Sequence, residues 1–477
     1  MINFPKIKKN TFMNPRIHTH KPIVYIISLI AALAGLLFGI DIGVISGALN
    51  YLQVDLNLST SQLETVTSSI LVGAVIGAMG SGWINRHYGR RFAILVSAVI
   101  FVIGSIGSAM AASYNTLVIV RIILGLALGV ASFSAPLYLS EMAPAAIRGR
   151  LISCYQLMIT VGIVLAYLSD TGFTHLQSIG ILSAAQAWRW MLGAVAFPAA
   201  LMFIVVLFLP SSPRWTALKG RDEETLHILK RIRHAHQVEQ EFTEIKESAT
   251  LAMPLRDLLR NQSLLKVIFL GVMLQLIQQF SGMNAILYYA PIIFGQAGFN
   301  QTDGMWVTVS IGAINVITTI FSLYLIEYLG RRALMYLGAI LLFISTSTLA
   351  ILFNSGLTGT NAMLAITSVF VFIIGFAISY GPVVWTLCSE VYPLRVREFG
   401  ITCSTVANWV GNSLIAAFSL SIMKNFSVSG FFVMLAIIAI LSFVFFRFFM
   451  PETKGVSLER IEKNVWANTP LLKLGEA

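Results

Sequence analysis

Runs of roughly twenty apolar residues, nearly free of charge, recur along this chain, and they decide what it can fold into. A hydrocarbon core about 30 Å thick takes about 20 helical residues to cross, and every backbone N–H and C=O inside it must be paired within the helix. Such runs are expected at 23–48, 63–83, 92–112, 116–139, 151–170 and 190–209, and again at 264–296, 304–326, 334–354, 362–388, 400–422 and 430–450. Composition agrees. Of 477 residues, 57% are apolar and 11% charged, with a mean hydropathy of +0.80, too little charge to cover a soluble domain of that length. The short alternating strands of a membrane barrel are not the pattern here. The expected fold is an all-α membrane protein of about 12 spans.

A net charge of +11 raises the possibility of a nucleic-acid partner, but the positions of the cations exclude it. Lys6, Lys8, Lys9, Arg16 and Lys21 precede the first span, and Arg86, Arg90 and Arg91 follow the second. Arg148 and Arg150, Arg331 and Arg332, and Arg395 and Arg397 follow the fourth, eighth and tenth. Of the cations, only Arg189 and Lys424 break the alternation. Cations in alternate loops mark the cytoplasmic side, so both termini are expected there, with the chain in the cell membrane, the inner membrane of a bacterium. The basic start lacks a cleavage site and runs straight into a full span, so it is not a signal peptide. Cys154, Cys388 and Cys403 all fall in spans and form neither a disulfide framework nor a metal-ligand spacing. With no nucleophile set or phosphate-cradling loop, no catalytic residue, metal or cofactor is expected, and the chain does not read as an enzyme.

The chain repeats itself. Gly89-Arg90-Arg91 returns as Gly330-Arg331-Arg332, Glu141, Pro144 and Arg148 return as Glu390, Pro393 and Arg397, and Pro210–Arg214 is mirrored by Pro451–Gly455. Three echoes in one order indicate two parallel six-span halves, an arrangement that places a substrate site between them near mid-membrane. The expected organisation is a tail at 1–22, a bundle at 23–209, a helical linker at 210–262, a second bundle at 263–450 and a tail at 451–477. Glu223 through Ile245 reads as one or two amphipathic helices of the linker.

Two sets of residues carry chemistry. A carboxylate at the centre of a membrane costs about 3 kcal/mol on insertion scales and is a functional candidate by default. Of the 21 acidic residues, Asp41 alone is expected deep in a span, and none of the seven histidines is. Arg121 is the other ionisable group well inside an apolar run and so its expected partner. Burial strengthens a carboxyl's hold on a proton and a nearby guanidinium weakens it, so a motion between such groups switches proton affinity; the alternative is a static ion pair that fixes packing. The second set is uncharged. Side-chain amides offer donors and acceptors together, as a sugar's hydroxyls require. Gln275, Gln278 and Gln279 share a helical face, and Ser281-Gly282 breaks that helix just before Asn284. Gln156, Asn315 and Asn408 can converge on the same cavity, with Phe376, Trp385 and Trp409 as aromatic walls. Each amide taken singly reads equally as interhelical glue.

On Phe38–Gly43, Ser140-Glu141 with Arg148-Gly149, Trp188-Arg189-Trp190, Gln278-Gln279 through Asn284, Gly381–Trp385 and Pro451–Gly455, the chain resembles the sugar porter family of the major facilitator superfamily over nearly its whole length. Within it, the chain is most similar to the bacterial galactose– and arabinose–proton symporters. The resemblance implies import of a neutral monosaccharide with a proton, the sugar being a hexose such as galactose or glucose or a pentose such as arabinose. It implies proton coupling by Asp41 and Arg121, sugar contacts from Gln156, Gln278, Gln279, Asn284, Asn315, Trp385 and Asn408, and a gate at Tyr288. It further implies cytoplasmic gating by Arg90, Arg91, Glu141, Arg148, Arg331, Arg332, Glu390 and Arg397, and a monomer in the bilayer. A proton-independent facilitator and a non-transporting sugar sensor share the fold and remain alternatives. Two positions depart from the family pattern: Arg86 stands where an Asp is usual (Glu327 in the second half), and Ser211 where an acid is usual.

Overall fold

The computed structural model describes residues 21–144, 147–249, 258, 260–296, 300–357, 359–393, 396–456 and 458–476. Lys6, Lys8, Lys9, Arg16 and Arg395 lie outside the described residues, as do the side chains of Arg148 and Arg150. The first half comprises α1 (Pro22–Asp55), α2 (Thr60–Tyr88), α3 (Arg90–Ala109), α4 (Tyr114–Met142), α5 (Arg148–Ser178), α6 (Ala184–Ala194) and α7 (Ala196–Val206). The linker holds α8 (Pro213–Leu218), α9 (Asp222–Ile232) and α10 (Ala235–Ala249). The second half comprises α11 (Gln262–Phe280), α12 (Met283–Gln296), α13 (Gln301–Leu329), α14 (Arg331–Ser355), α15 (Thr360–Ile378), α16 (Tyr380–Val391) and α17 (Arg397–Phe449), followed by the short α18 (Leu458–Trp466). Among the described residues, eleven helical stretches are long and apolar enough to cross a membrane. The longest, α17, is two spans joined at Ser427, whose φ of 69° interrupts the helix, so the spans number twelve.

Local chemistry sets the ends of these helices. Ser59 and Gln62 form a reciprocal capping box at the start of α2, and Ser183 and Gln186 do the same for α6. Gly89 at φ 92° and Gly330 at φ 88° are the single-residue turns between α2 and α3 and between α13 and α14, a backbone region that costs glycine nothing. Small residues then bring helices into backbone contact. Gly35, Gly39, Gly43 and Gly47 form a stripe along α1 that lies directly on Tyr155, Ile159, Ala166 and Asp170 of α5, leaving no room for a Cβ. Gly73 and Gly77 of α2 face Ile122 and Leu126 of α4 in the same way. In lipid, where hydrophobic burial drives little association, such close approach supplies the packing.

Several expected spans prove to be two helices. The sixth breaks at Val195, three residues before Pro198, and the seventh at Ser281-Gly282, as its sequence suggests. The tenth breaks at Ser379, just ahead of Gly381-Pro382, where proline removes a backbone donor. The fifth runs to Ser178 rather than ending at 170. The halves meet where α2 packs on α17, α5 on α13 and α1 on α12. The linker helices dock on the end of the first half that carries the basic loops: Arg233 donates to the Met142 carbonyl at 2.8 Å and pairs with Glu241 at 2.7 Å. We call this the basic end and its opposite the far end.

Candidate functional site

Asp41 and Arg121 come together inside the first half, both buried. Arg121 Nη2 lies 3.8 Å from Asp41 Oδ2, while Arg121 Nε donates to the Val66 carbonyl at 2.9 Å. Nη2 makes no hydrogen bond. The pair is thus close but loose, with a guanidinium donor in reserve for a tighter contact. A fully hydrogen-bonded ion pair would hold both groups fixed.

Facing it across the molecule is a chain of amides. Asn408 Nδ2 donates to Gln275 Oε1 at 2.6 Å and to Gln278 Oε1 at 2.8 Å. Gln279 Nε2 donates to Gln278 Oε1 at 3.4 Å, and Asn284 Nδ2 to Gln279 Oε1 at 2.7 Å. Gln278 Nε2 in turn donates to the carbonyls of Tyr380 and Gly381 at 2.6 and 3.2 Å, at the break between α15 and α16. Gln278 therefore spends its donors on holding that break, and Gln279 and Asn284 keep the spare hydrogen-bonding capacity. Gln275, which the sequence places on one face with Gln278 and Gln279, buttresses Asn408. Gln156 on α5, Asn284 on α12, Phe376 on α15 and Trp385 on α16 are half-buried, and Asn315 on α13 is buried. Among the described residues no hydrogen bond joins Gln156 or Asn315 to the chain of amides.

Two aromatic contacts connect the carboxylate to the amides. Phe38, one turn before Asp41 on α1, packs on Trp409, the neighbour of Asn408, with ring centroids 5.0 Å apart. Tyr288 donates to Asn412 Oδ1 at 3.3 Å, and its helix α12 packs on α1, which carries Asp41.

The charged sets at the basic end pair within each half. Arg90 grips Glu141 with Nη2 at 2.8 Å and Nε at 3.0 Å, and Ser212 also bonds Glu141. Arg331 reaches Glu390 at 2.7 Å, which also accepts from Thr453 at 2.6 Å. Arg91 and Arg332 donate to the terminal carbonyls of Leu207 and Arg447, at 2.6 and 3.3 Å. Arg397 is half-buried, with Nε on the Tyr392 carbonyl at 3.3 Å, and the Arg148 side chain lies outside the described residues. Among the described residues, no side-chain bond at this end crosses between the halves.

Such bonds do cross at the far end. Glu64, buried in the first turns of α2, accepts from the Ser421 N–H at 2.7 Å and its hydroxyl at 2.5 Å. Tyr167 of α5 donates to the Leu287 carbonyl of α12 at 2.9 Å. The sequence reading missed Glu64 because an acid beside a helix start resembles an ordinary loop residue. It also missed Asp170: Asp41 is not the only carboxyl deep in a span, since Asp170 is fully buried in α5. The expected span stopped at 170, whereas α5 carries on for two more turns.

Comparison with known proteins fits this geometry. Residues 27–465 match the family model described as Sugar (and other) transporter. The galactose-proton symporter of Escherichia coli (strain K12) is 42% identical over 461 residues, covering 96% of this chain and 97% of the relative. The arabinose-proton symporter of the same strain is 42% identical over 457 residues, covering 94% and 95%. The solved xylose transporter XylE from E. coli, in a partially occluded inward open conformation, superposes with a TM-score of 0.80 at 29% identity, covering 91% of this chain and 99% of that one.

Proposed function

The chain belongs to the Sugar (and other) transporter family, and from that premise we propose that it imports a neutral monosaccharide together with a proton, by alternating access. The sugar is a hexose such as galactose or glucose, or a pentose such as arabinose; galactose and arabinose are the sugars named for two symporters 42% identical to this chain. The protein works as a monomer in the inner membrane of a bacterium, with the basic end and both termini in the cytoplasm. Residues 23–209 and 263–450 are the two rocking bundles, 210–262 the cytoplasmic linker, and 1–22 and 451–477 the tails.

The observation that carries this reading is the Asp41–Arg121 pair set against uncharged amides across the Phe38–Trp409 contact. Asp41 carries the proton, and Arg121 releases it by approaching more closely as the bundles rock. Gln279, Asn284, Asn315, Gln156 and Asn408 bind the sugar hydroxyls, Gln278 supports them, and Trp385 and Phe376 cover the ring. Tyr288 closes over the site from outside. Arg90, Arg91, Glu141, Arg148, Arg331, Arg332, Glu390 and Arg397 form the cytoplasmic gate. With bonds crossing the halves at the far end and, among the described residues, none at the basic end, the structure is read as a state sealed towards the outside.

Asp41→Asn tests the assignment. Without a titrating carboxyl, the variant should lose concentrative uptake while exchanging labelled for unlabelled sugar at close to the wild-type rate. Full accumulation by the variant would remove Asp41 from the mechanism.

A further inference from the structure

Asp170 is fully buried inside α5, and neither of its oxygens is paired with a side chain. Its carboxyl lies against the Gly47 backbone of α1, where even a Cβ would collide with it. Gly47 is six residues beyond Asp41 on α1, so Asp170 sits about 9 Å nearer the far end than Asp41 does. A turn further on, Tyr51 of α1 and Thr174 of α5 lie beside each other with their hydroxyls buried. No described ion pair includes Asp170. Along the two helices, the titratable residues one turn from this contact are Tyr51 on α1 and Tyr167 on α5, and the Tyr167 hydroxyl reaches the Leu287 carbonyl, next to Tyr288 of α12. A lone carboxylate out of water, with no cation to offset it, costs several kcal/mol, so the group holds a proton in this state. A neutral acid whose nearest polar neighbour is the Gly47 backbone gains little from that place, and it is backed by two further buried hydroxyls, Tyr51 and Thr174, on the outward side.

We propose that Asp170 is a second proton-binding carboxyl in series with Asp41, loaded from the far end. This rests on Asp41 being the coupling carboxyl. Tyr167 precedes Asp170 by one turn on α5 and bonds the carbonyl next to Tyr288, whose helix α12 packs on α1, the helix of Asp41. Transfer converts Asp170 from COOH to COO⁻ and Asp41 from COO⁻ to COOH, each tyrosine accepting one proton and passing on another, after which water at the far end reloads Asp170. In the present state both tyrosine hydrogens are committed elsewhere, to the Leu287 carbonyl and to Asn412. The line is therefore interrupted while the outer gate is shut, which prevents a leak. Opening that gate, by moving α12, frees both hydroxyls.

The test uses the full-length protein in proteoliposomes. Asp170→Asn should slow uptake driven by a pH gradient about tenfold, the modest end for a lost proton-transfer group, while sugar exchange stays within about twofold. Wild-type rates in both assays would overturn the proposal. Absence of sugar-linked proton movement in the wild type would instead overturn the symport reading beneath it. If the variant cannot be purified, the infrared spectrum of Asp41→Asn protein decides. A protonated-carboxyl band that exchanges in deuterated buffer and disappears as the medium turns alkaline is expected, and a band indifferent to bulk pH would sink the idea.

Discussion

In the proposed mechanism, residues decide coupling through what they leave unsatisfied. Arg121 Nη2 makes no hydrogen bond 3.8 Å from Asp41, the spare donor on which the proposed switch depends. Glu64 is the opposite case, with both oxygens engaged by Ser421 across the interface. Hydrogen bonds to a charged acceptor contribute about 1.5–3 kcal/mol each. Glu64→Gln keeps the shape and loses the charge, so it should shift the population roughly tenfold or more toward an outward-open state, by the same arithmetic. Faster labelling of a cysteine placed beside Asn412, by a reagent added outside, would report it; unchanged labelling would mean that Glu64 is not a latch. Asp41, Arg121 and the amides were legible in the sequence because a polar group in an apolar run stands out against its background. Gln278's grip on the Tyr380 and Gly381 carbonyls was not, since it depends on a helix break in a different span. Asp170 escaped because hydropathy fades near Ser169 and Thr171, while the helix itself continues.

At the scale of elements, the two halves differ in how the corresponding helices α3 and α14 begin. Glu452 accepts from the N–H groups of Arg331 and Arg332 at 3.0 and 2.9 Å, capping the start of α14. Its counterpart before α3 is Ser211, which supplies no carboxylate there. Arg86 likewise replaces the acid that in the second half is Glu327, 3.5 Å from Arg331. An acid at a helix N-terminus is worth about 0.3–1 kcal/mol. Ser211→Glu should therefore raise the melting temperature of the purified protein, and Glu452→Ala should lower it, by comparable small amounts. A Ser211→Glu protein that melts lower would show that the basic end of the first half is built around the missing charge. The repeat was readable from the echoed motifs. The breaks at Val195 and Ser379 were less so, because proline and glycine in an apolar run mark a weak point without saying whether the helix bends or parts there.

For the whole molecule, the cross-half bonds at the far end mean that this side must open for transport to proceed. A disulfide between Glu64→Cys and Ser421→Cys, in a protein with Cys154, Cys388 and Cys403 replaced, should stop uptake on oxidation and release it on reduction. Continued transport by the fully cross-linked protein would mean that the halves need not separate there. Twelve spans in two parallel halves follow from hydropathy and repetition alone, since the bilayer permits few other solutions. Which end is sealed follows from tertiary contacts that no single run of sequence contains.

The account stands on sugar and proton crossing together. The most direct test is the pH of a weakly buffered medium around proteoliposomes of purified protein when galactose, glucose or arabinose is added outside. The account predicts that the medium turns alkaline as the sugar enters, and that Asp41→Asn abolishes the signal. Sugar entry at one rate with or without a pH gradient, and no change in the medium, would contradict it.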